Sequence, residues 1–141
     1  MNAQDRDVLA RTLYGEARGE YARSGIAAFI AIGNVVMNRV QRGGWYGRTV
    51  AEVCLKPQQF SCWNEGDPNR FLLDKADLGT NSLFRLITTV VENLDSQRWP
   101  DLTGGCDHYH AASCHPSWAK GRNVQVHLGN HLFYQLEKRF S

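Results

Sequence analysis

Hydrophobic residues recur at helical spacing along three parts of the chain and at alternating spacing along one. Over residues 5–18, Val8, Leu9, Leu13 and Ala17 fall near one stripe, which predicts a helix with Gly19 as its stop. From about Ala22 to Val40, the positions Ile26, Phe29, Ile30, Gly33, Met37 and Val40 keep the i, i+3, i+4, i+7 spacing of a buried face, predicting a second, stronger helix. The run RGGW, residues 42–45, breaks it. Thr49 to Glu52 has the form of a capping box, so a short helix carrying Val50 and Val53 is expected next. A further helix is predicted over Ser82 to Ser96, with Leu83, Ile87, Val90, Val91 and Leu94 on its inner face and WPDLTGG as its end.

Late in the chain the period changes from helical to alternating. Val124, Val126 and Leu128 alternate with polar residues before Gly129-Asn130, and His131 to Leu136 reads as a returning strand, so a hairpin is predicted. Between the helices, KPQQFSCWNEGDPNR at 56–70 has loop composition, with more Phe and Trp than an idle loop needs. No repeat or linker interrupts the chain. The elements together predict one α+β domain over residues 1–141, mostly helical, with a small sheet late in the chain.

Composition narrows the class. A chain of 141 residues with 43% hydrophobic and 21% charged residues suits a soluble globule. A formal charge of +2 and the absence of a Lys/Arg run argue against nucleic-acid binding, while suiting weakly a polyanionic surface such as a bacterial envelope. The first residues lack the basic-then-apolar pattern of a signal peptide, and the longest apolar stretch is too short and interrupted to span a bilayer. The expected protein is therefore made in the cytoplasm and has no stable membrane association. Cys54, Cys62, Cys106 and Cys114 allow three pairings. Free thiols in a reducing compartment and disulfides formed after release both remain open.

Two clusters carry candidate chemistry. In LYGEARGEY, residues 13–21, Glu16 and Glu20 stand one helical turn apart. Glu16 would lie in the last turn of the first helix, where free carbonyls disfavour a carboxylate and raise its pKa. Leu13, Tyr14 and Ala17 would add desolvation, whereas Arg18 would oppose the rise unless it points elsewhere. A glutamic acid kept protonated near neutrality suits general acid work. Glycoside hydrolysis usually uses two carboxylates, but Glu16 and Glu20 would share one face rather than flank a sugar. No other acid declares itself a partner, so a one-carboxylate mechanism is indicated.

The second cluster, CDHYHAASCH, gathers Cys106, Asp107, His108, His110, Cys114 and His115. These are zinc-ligand types, and a zinc amidase or peptidase is the alternative class, although no HExxH or CxxC spacing is present. Gln59, Phe60, Trp63, Asn64, Tyr109 and Trp118 mix flat apolar faces with amides and hydroxyls, as a carbohydrate groove requires. Any one of these aromatics serves equally well as core.

The segments LARTLYGEARGE (9–20), AIGNVVMNRV (31–40), VCLKPQQFSCWN (53–64), DHYHA (107–111), PSWA (116–119) and GNHLFY (129–134) together resemble the SleB-like cell wall hydrolases, a family that includes spore cortex-lytic enzymes and phage lysins. The resemblance covers nearly the whole chain. It implies a lysozyme-like or lytic-transglycosylase-like fold, acting on peptidoglycan glycan strands without a cofactor or metal, as a monomer. Glu16 matches the family's single glutamate, which protonates the oxygen between N-acetylmuramic acid and N-acetylglucosamine. That residue then takes the proton of the muramic C6 hydroxyl, leaving a 1,6-anhydro end. Gln59, Phe60 and Ser61 match the QFS loop, His108 and Tyr109 the H-Y/F position, with Trp63 and Trp118 beside them as substrate-binding residues and Glu20 in a supporting role. Cys106, Cys114 and His115 depart from the usual pattern. A bare catalytic module without an export signal implies a phage endolysin, acting on the wall after release. A hydrolytic muramidase on the same fold is the nearer alternative.

Overall fold

The computed structural model describes residues 1–57 and 59–137. Helix α1 spans Ala3–Ala17, starting two residues earlier than expected because Asn2 and Asp5 form a reciprocal capping box. Val8, Leu9, Leu13 and Ala17 are all buried. Asp5 also accepts the backbone N–H of Ala51 at 2.9 Å, which fixes the start of α1 against the next helical layer.

As expected, α1 ends just before Gly19, with Arg18 as its C-cap. Gly19 itself sits in a 3-10 turn, Arg18–Glu20, that runs into a single-turn helix α2, Tyr21–Ser24. The interruption falls at Gly25, whose φ of +63° suits glycine. The predicted helix from Ala22 is therefore two pieces, and α3 spans Ala27–Arg42. Ile26, expected on the buried face, lies ahead of the first turn and is 38% exposed. Phe29, Ile30 and Gly33 are buried as expected, and Met37 and Val40 half-buried. Gly43 and Gly44 both take positive φ and end the helix.

Helix α4, Val50–Leu55, buries Val50 and Val53, with Thr49 accepting the Glu52 N–H. Glu52 turns to the N–H of Arg48 rather than that of Thr49, so only half of the capping box forms. The end of the stretch read as loop begins a further helix, α5, Pro68–Lys75, started by an Asp67 cap with proline at N1. Helix α6, Ser82–Asp95, is capped by Asn81 and buries Phe84, Ile87, Val90, Val91 and Leu94, with Leu83 half-buried. Helix α1 lies at the centre of the helical part, against α3, α4, α5 and α6. No helix among the described residues is long and apolar enough to cross a membrane.

Three short strands follow: β1, His108–Ala111; β2, Val126–Leu128; and β3, His131–Tyr134. The expected hairpin is β2–β3, turning at Gly129 with φ +56°. Its strands are shorter than the alternation suggested, and Val124 is exposed outside them. The unpredicted β1 pairs with the other edge of β3, with Tyr109 opposite Phe133. Asp107, fully buried, anchors the sheet to the helices. Its Oδ1 accepts from the Leu136 N–H and His108 Nδ1, and its Oδ2 accepts from the Glu137 N–H and lies 3.1 Å from Arg42 Nε of α3. These partners hold the Asp107 carboxyl below its ordinary pKa despite its burial.

Candidate active site

Glu16 occupies the last full turn of α1 and is half-buried. Cys62, by its thiol and backbone N–H, and Tyr109, by its hydroxyl, lie beside its carboxyl and favour the charged form. The Cys62 N–H is free for this because it belongs to the first turn of the 3-10 helix Ser61–Trp63. The bonds of that turn begin with Trp63 N–H to Phe60 carbonyl. Gly15 makes the approach possible, since any side chain there would strike Cys62 and Leu73.

Burial raises the Glu16 pKa, Cys62 and Tyr109 oppose the rise, and the negative field of Asp67 adds to it. The outcome is a carboxyl that keeps its proton to a higher pH than an exposed glutamate. Burial, next to Glu16 itself, also pushes up the pKa of both Cys62 and Tyr109, so both remain hydrogen-bond donors at neutral pH. The expected contribution of free helix-end carbonyls is not what the site uses. Arg18 folds back onto the carbonyls of Tyr14 and Gly15 at 3.2 and 3.3 Å and bonds Asn69, so it caps that end and does not pair with Glu16.

Glu20 does not join this group. Its Oε2 accepts the Asn130 N–H at 3.2 Å, tying the turn after α1 to the β2–β3 hairpin. Asp67, the acid whose charge reaches Glu16, caps α5 by accepting the Asn69 N–H at 2.8 Å.

The sheet separates the other sequence-predicted residues. Tyr109 points inward, its ring against Phe60 and Phe133. His108 and His110, one residue to either side, point to the opposite face, where they pack edge-on against Trp118. His108 and Trp118 are thus not gathered beside Glu16. Phe60 is 2% exposed and lies in the core under Tyr109 and the Arg39 guanidinium, rather than on an open groove wall. Trp63 is half-buried, with Nε1 donating to Thr12 at 2.8 Å and Arg70 over its ring. Gln59 is half-buried and Ser61 exposed, flanking the Phe60 anchor.

The ligand types of residues 106–115 are dispersed. Cys106 donates to the Thr103 carbonyl, Asp107 is bonded as described, His110 bridges the Ala111 carbonyl and the Tyr134 hydroxyl, and Cys114 is exposed. Among the described residues, no group of His, Cys, Asp and Glu is assembled as a metal site. All four cysteines are free thiols, and burial pushes Cys54 up to about 12 and Cys106 to about 11.

Sequence reasoning passed over Gly15, Cys62 and Arg39. A glycine inside an otherwise good helix was a signal for close packing. Arg39, buried in α3, donates to the Asp107 carbonyl at 2.7 Å and stacks over Phe60, so it braces both the 59–63 loop and β1.

A family model described as Cell Wall Hydrolase matches residues 24–134, a span that includes Cys62 and Tyr109 and begins after Glu16. Two solved structures share the fold. The catalytic domain of the Bacillus cereus SleB protein is 22% identical, with a TM-score of 0.72 over 96% of this chain and 92% of that one. The catalytic domain of the germination-specific lytic transglycosylase SleB from Bacillus anthracis is 23% identical, with a TM-score of 0.70 over 96% and 97%. No curated protein matches the sequence.

Proposed function

The chain belongs to the cell wall hydrolase family, and on that premise we propose that it is a peptidoglycan glycosidase in which Glu16 alone carries the acid and base steps. One observation carries the reading. Glu16 is a half-buried carboxyl beside Cys62 and Tyr109, with its pKa raised and, among the described residues, no cation paired to it. Such a group holds a proton to give to a leaving oxygen.

In the proposed reaction, Glu16 protonates the oxygen joining C1 of N-acetylmuramic acid to N-acetylglucosamine, and the C1–O bond breaks. The C6 hydroxyl of the same muramic residue then adds to C1 while the Glu16 carboxylate takes its proton. The nucleophile comes from the substrate, no water is consumed, and Glu16 returns to its starting state. This route needs no second carboxylate, in keeping with Glu20 and Asp67 being held by backbone N–H groups. A lytic transglycosylase therefore fits better than a two-carboxylate glycosidase. The endolysin role rests on the family resemblance alone; lysis of a bacterial culture when the protein is given access to the wall would support it.

Glu16→Gln tests the assignment. The variant should fold as the parent does, judged by circular dichroism and Tm, and clear purified murein about 100-fold more slowly or worse. A folded variant with near-parental clearing would remove Glu16 from the mechanism.

A further inference from the structure

Of the four tryptophans only Trp45 is exposed, at 64%, and the proposed reaction makes no use of it. It lines a cavity of about 660 Å³ between the first turn of α1, the turn at 44–47 and α4. We propose that this cavity is a second glycan-binding site, where a peptidoglycan strand held at Glu16 lays a more distant sugar against Trp45. Its substrate class rests on the proposed action of Glu16.

The indole is held in place by its surroundings. Its neighbour Tyr46 is buried, with the Arg39 guanidinium over its ring and its hydroxyl donating to Glu137 at 3.3 Å. Gly47, at φ +121°, lets the turn lie directly on α4: a Cβ there would stand 3.0 Å from the Glu52 Cβ and 3.2 Å from the Val53 nitrogen. Lys56, the C-cap of α4, donates to the Trp45 carbonyl and sets its ammonium 4.0 Å from a ring centroid of the indole. An apolar surface fixed in this way loses little freedom on taking a ligand.

The lining selects a neutral, polar ring. Leu55, 42% exposed, extends the apolar surface of Trp45. Beside them stand Gln4, whose amide has no side-chain hydrogen bond among the described residues, and Thr49. The Thr49 hydroxyl accepts the Glu52 N–H and keeps its own proton to donate. Glu52 and Lys56 contribute one charge of each sign, and Asp5 adds a carboxylate bonded to backbone N–H groups, so a polyanion meets no excess of cations. A purely apolar ligand would strip water from the amide, the hydroxyl and the Glu52 carboxylate without replacing their hydrogen bonds. A sugar offers C–H faces to the indole and hydroxyl or acetamido groups to the rest, and the cavity falls in the range of about 300–1,000 Å³ usual for small-ligand sites.

The cavity is also placed for the same strand. Asp5, in its wall, and Glu16 are close to three turns apart on α1, so they lie along one side of the helix, about 17 Å from each other. A strand of several sugars spans that distance.

The experiment is cosedimentation with purified murein, using Glu16→Gln protein to prevent digestion, with and without Trp45→Ala. The exposed position predicts an unchanged Tm for Trp45→Ala and a Kd weaker by about three- to tenfold. Trp45→Phe, which keeps a flat ring, should lose less. Titration of isotope-labelled Glu16→Gln protein with a soluble, peptide-free glycan oligomer should shift the Trp45 indole N–H resonance, identified by its absence from the Trp45→Ala spectrum. Undiminished murein binding by Trp45→Ala, or an indole resonance left unmoved by the oligomer, would overturn the site. The reading of Glu16 fails separately, through clearing of murein by the single Glu16→Gln variant.

Discussion

Gly15 and Cys62 meet with no room for a side chain between them: a Cβ on Gly15 would lie 2.7 Å from the Cys62 Cβ and 2.9 Å from its sulfur. The contact locks the 59–63 loop to the last turn of α1, and so brings Cys62 beside the next residue, Glu16.

Replacing a helix glycine with alanine ordinarily stabilises a helix by about 1 kcal/mol. Here the sign reverses. Gly15→Ala is expected to destabilise the fold by about 1–3 kcal/mol in denaturant unfolding, because Cys62 and Leu73 must both shift. Murein clearing should fall further than the stability loss explains, since the surroundings of Glu16 move with Cys62. A more stable, fully active variant would show that the contact is loose.

Glu16 should cost stability at neutral pH. Its folded pKa is raised, so between the ordinary value and the raised one the folded chain keeps a proton that the unfolded chain has released. Stability therefore falls as pH rises through that interval and stays lowered above it. Glu16→Gln removes the ionisation. The Tm difference, variant minus parent, should grow in the variant's favour from about pH 4 to about pH 7; a difference that is flat or of opposite slope would contradict the raised pKa.

Glu20 is a tether. Glu20→Gln keeps an oxygen for the Asn130 N–H and should leave clearing per folded molecule within about threefold of the parent, with a stability change of about 1 kcal/mol or less. If Glu20→Gln were the more damaging of the two glutamine variants, the acid would have been assigned to the wrong residue.

The helical frame was legible where apolar periodicity was long. The stripes of α1, α3 and α6 and the alternation before Gly129 led to the right elements, because each buries one face over several turns or a whole strand. Elements that escaped were short. The strand β1 has four residues, all half-buried, and gains its pairing from β3, far along the chain. Helix α5 announced itself only by Asp67-Pro68, a cap and N1 pair inside a loop-like composition. The candidate site was legible as a residue and not as an environment. Glu16 stood out in LYGEARGEY, but what raises its pKa is burial, which Cys62 and Tyr109 partly oppose, and only the tertiary packing brings these groups together. Strand alternation likewise decided what a list of aromatic residues could not: Tyr109 faces Glu16, and His108, with Trp118, faces away.

The central claim, a single carboxyl that breaks the glycan bond with the substrate's own hydroxyl as nucleophile, is tested most directly by the mass of the muropeptides released from purified murein. The account predicts fragments ending in 1,6-anhydro-N-acetylmuramic acid, lighter by one water than hydrolytic products and absent from digests with Glu16→Gln. Reducing muramic ends, or free stem peptides with the glycan intact, would contradict it.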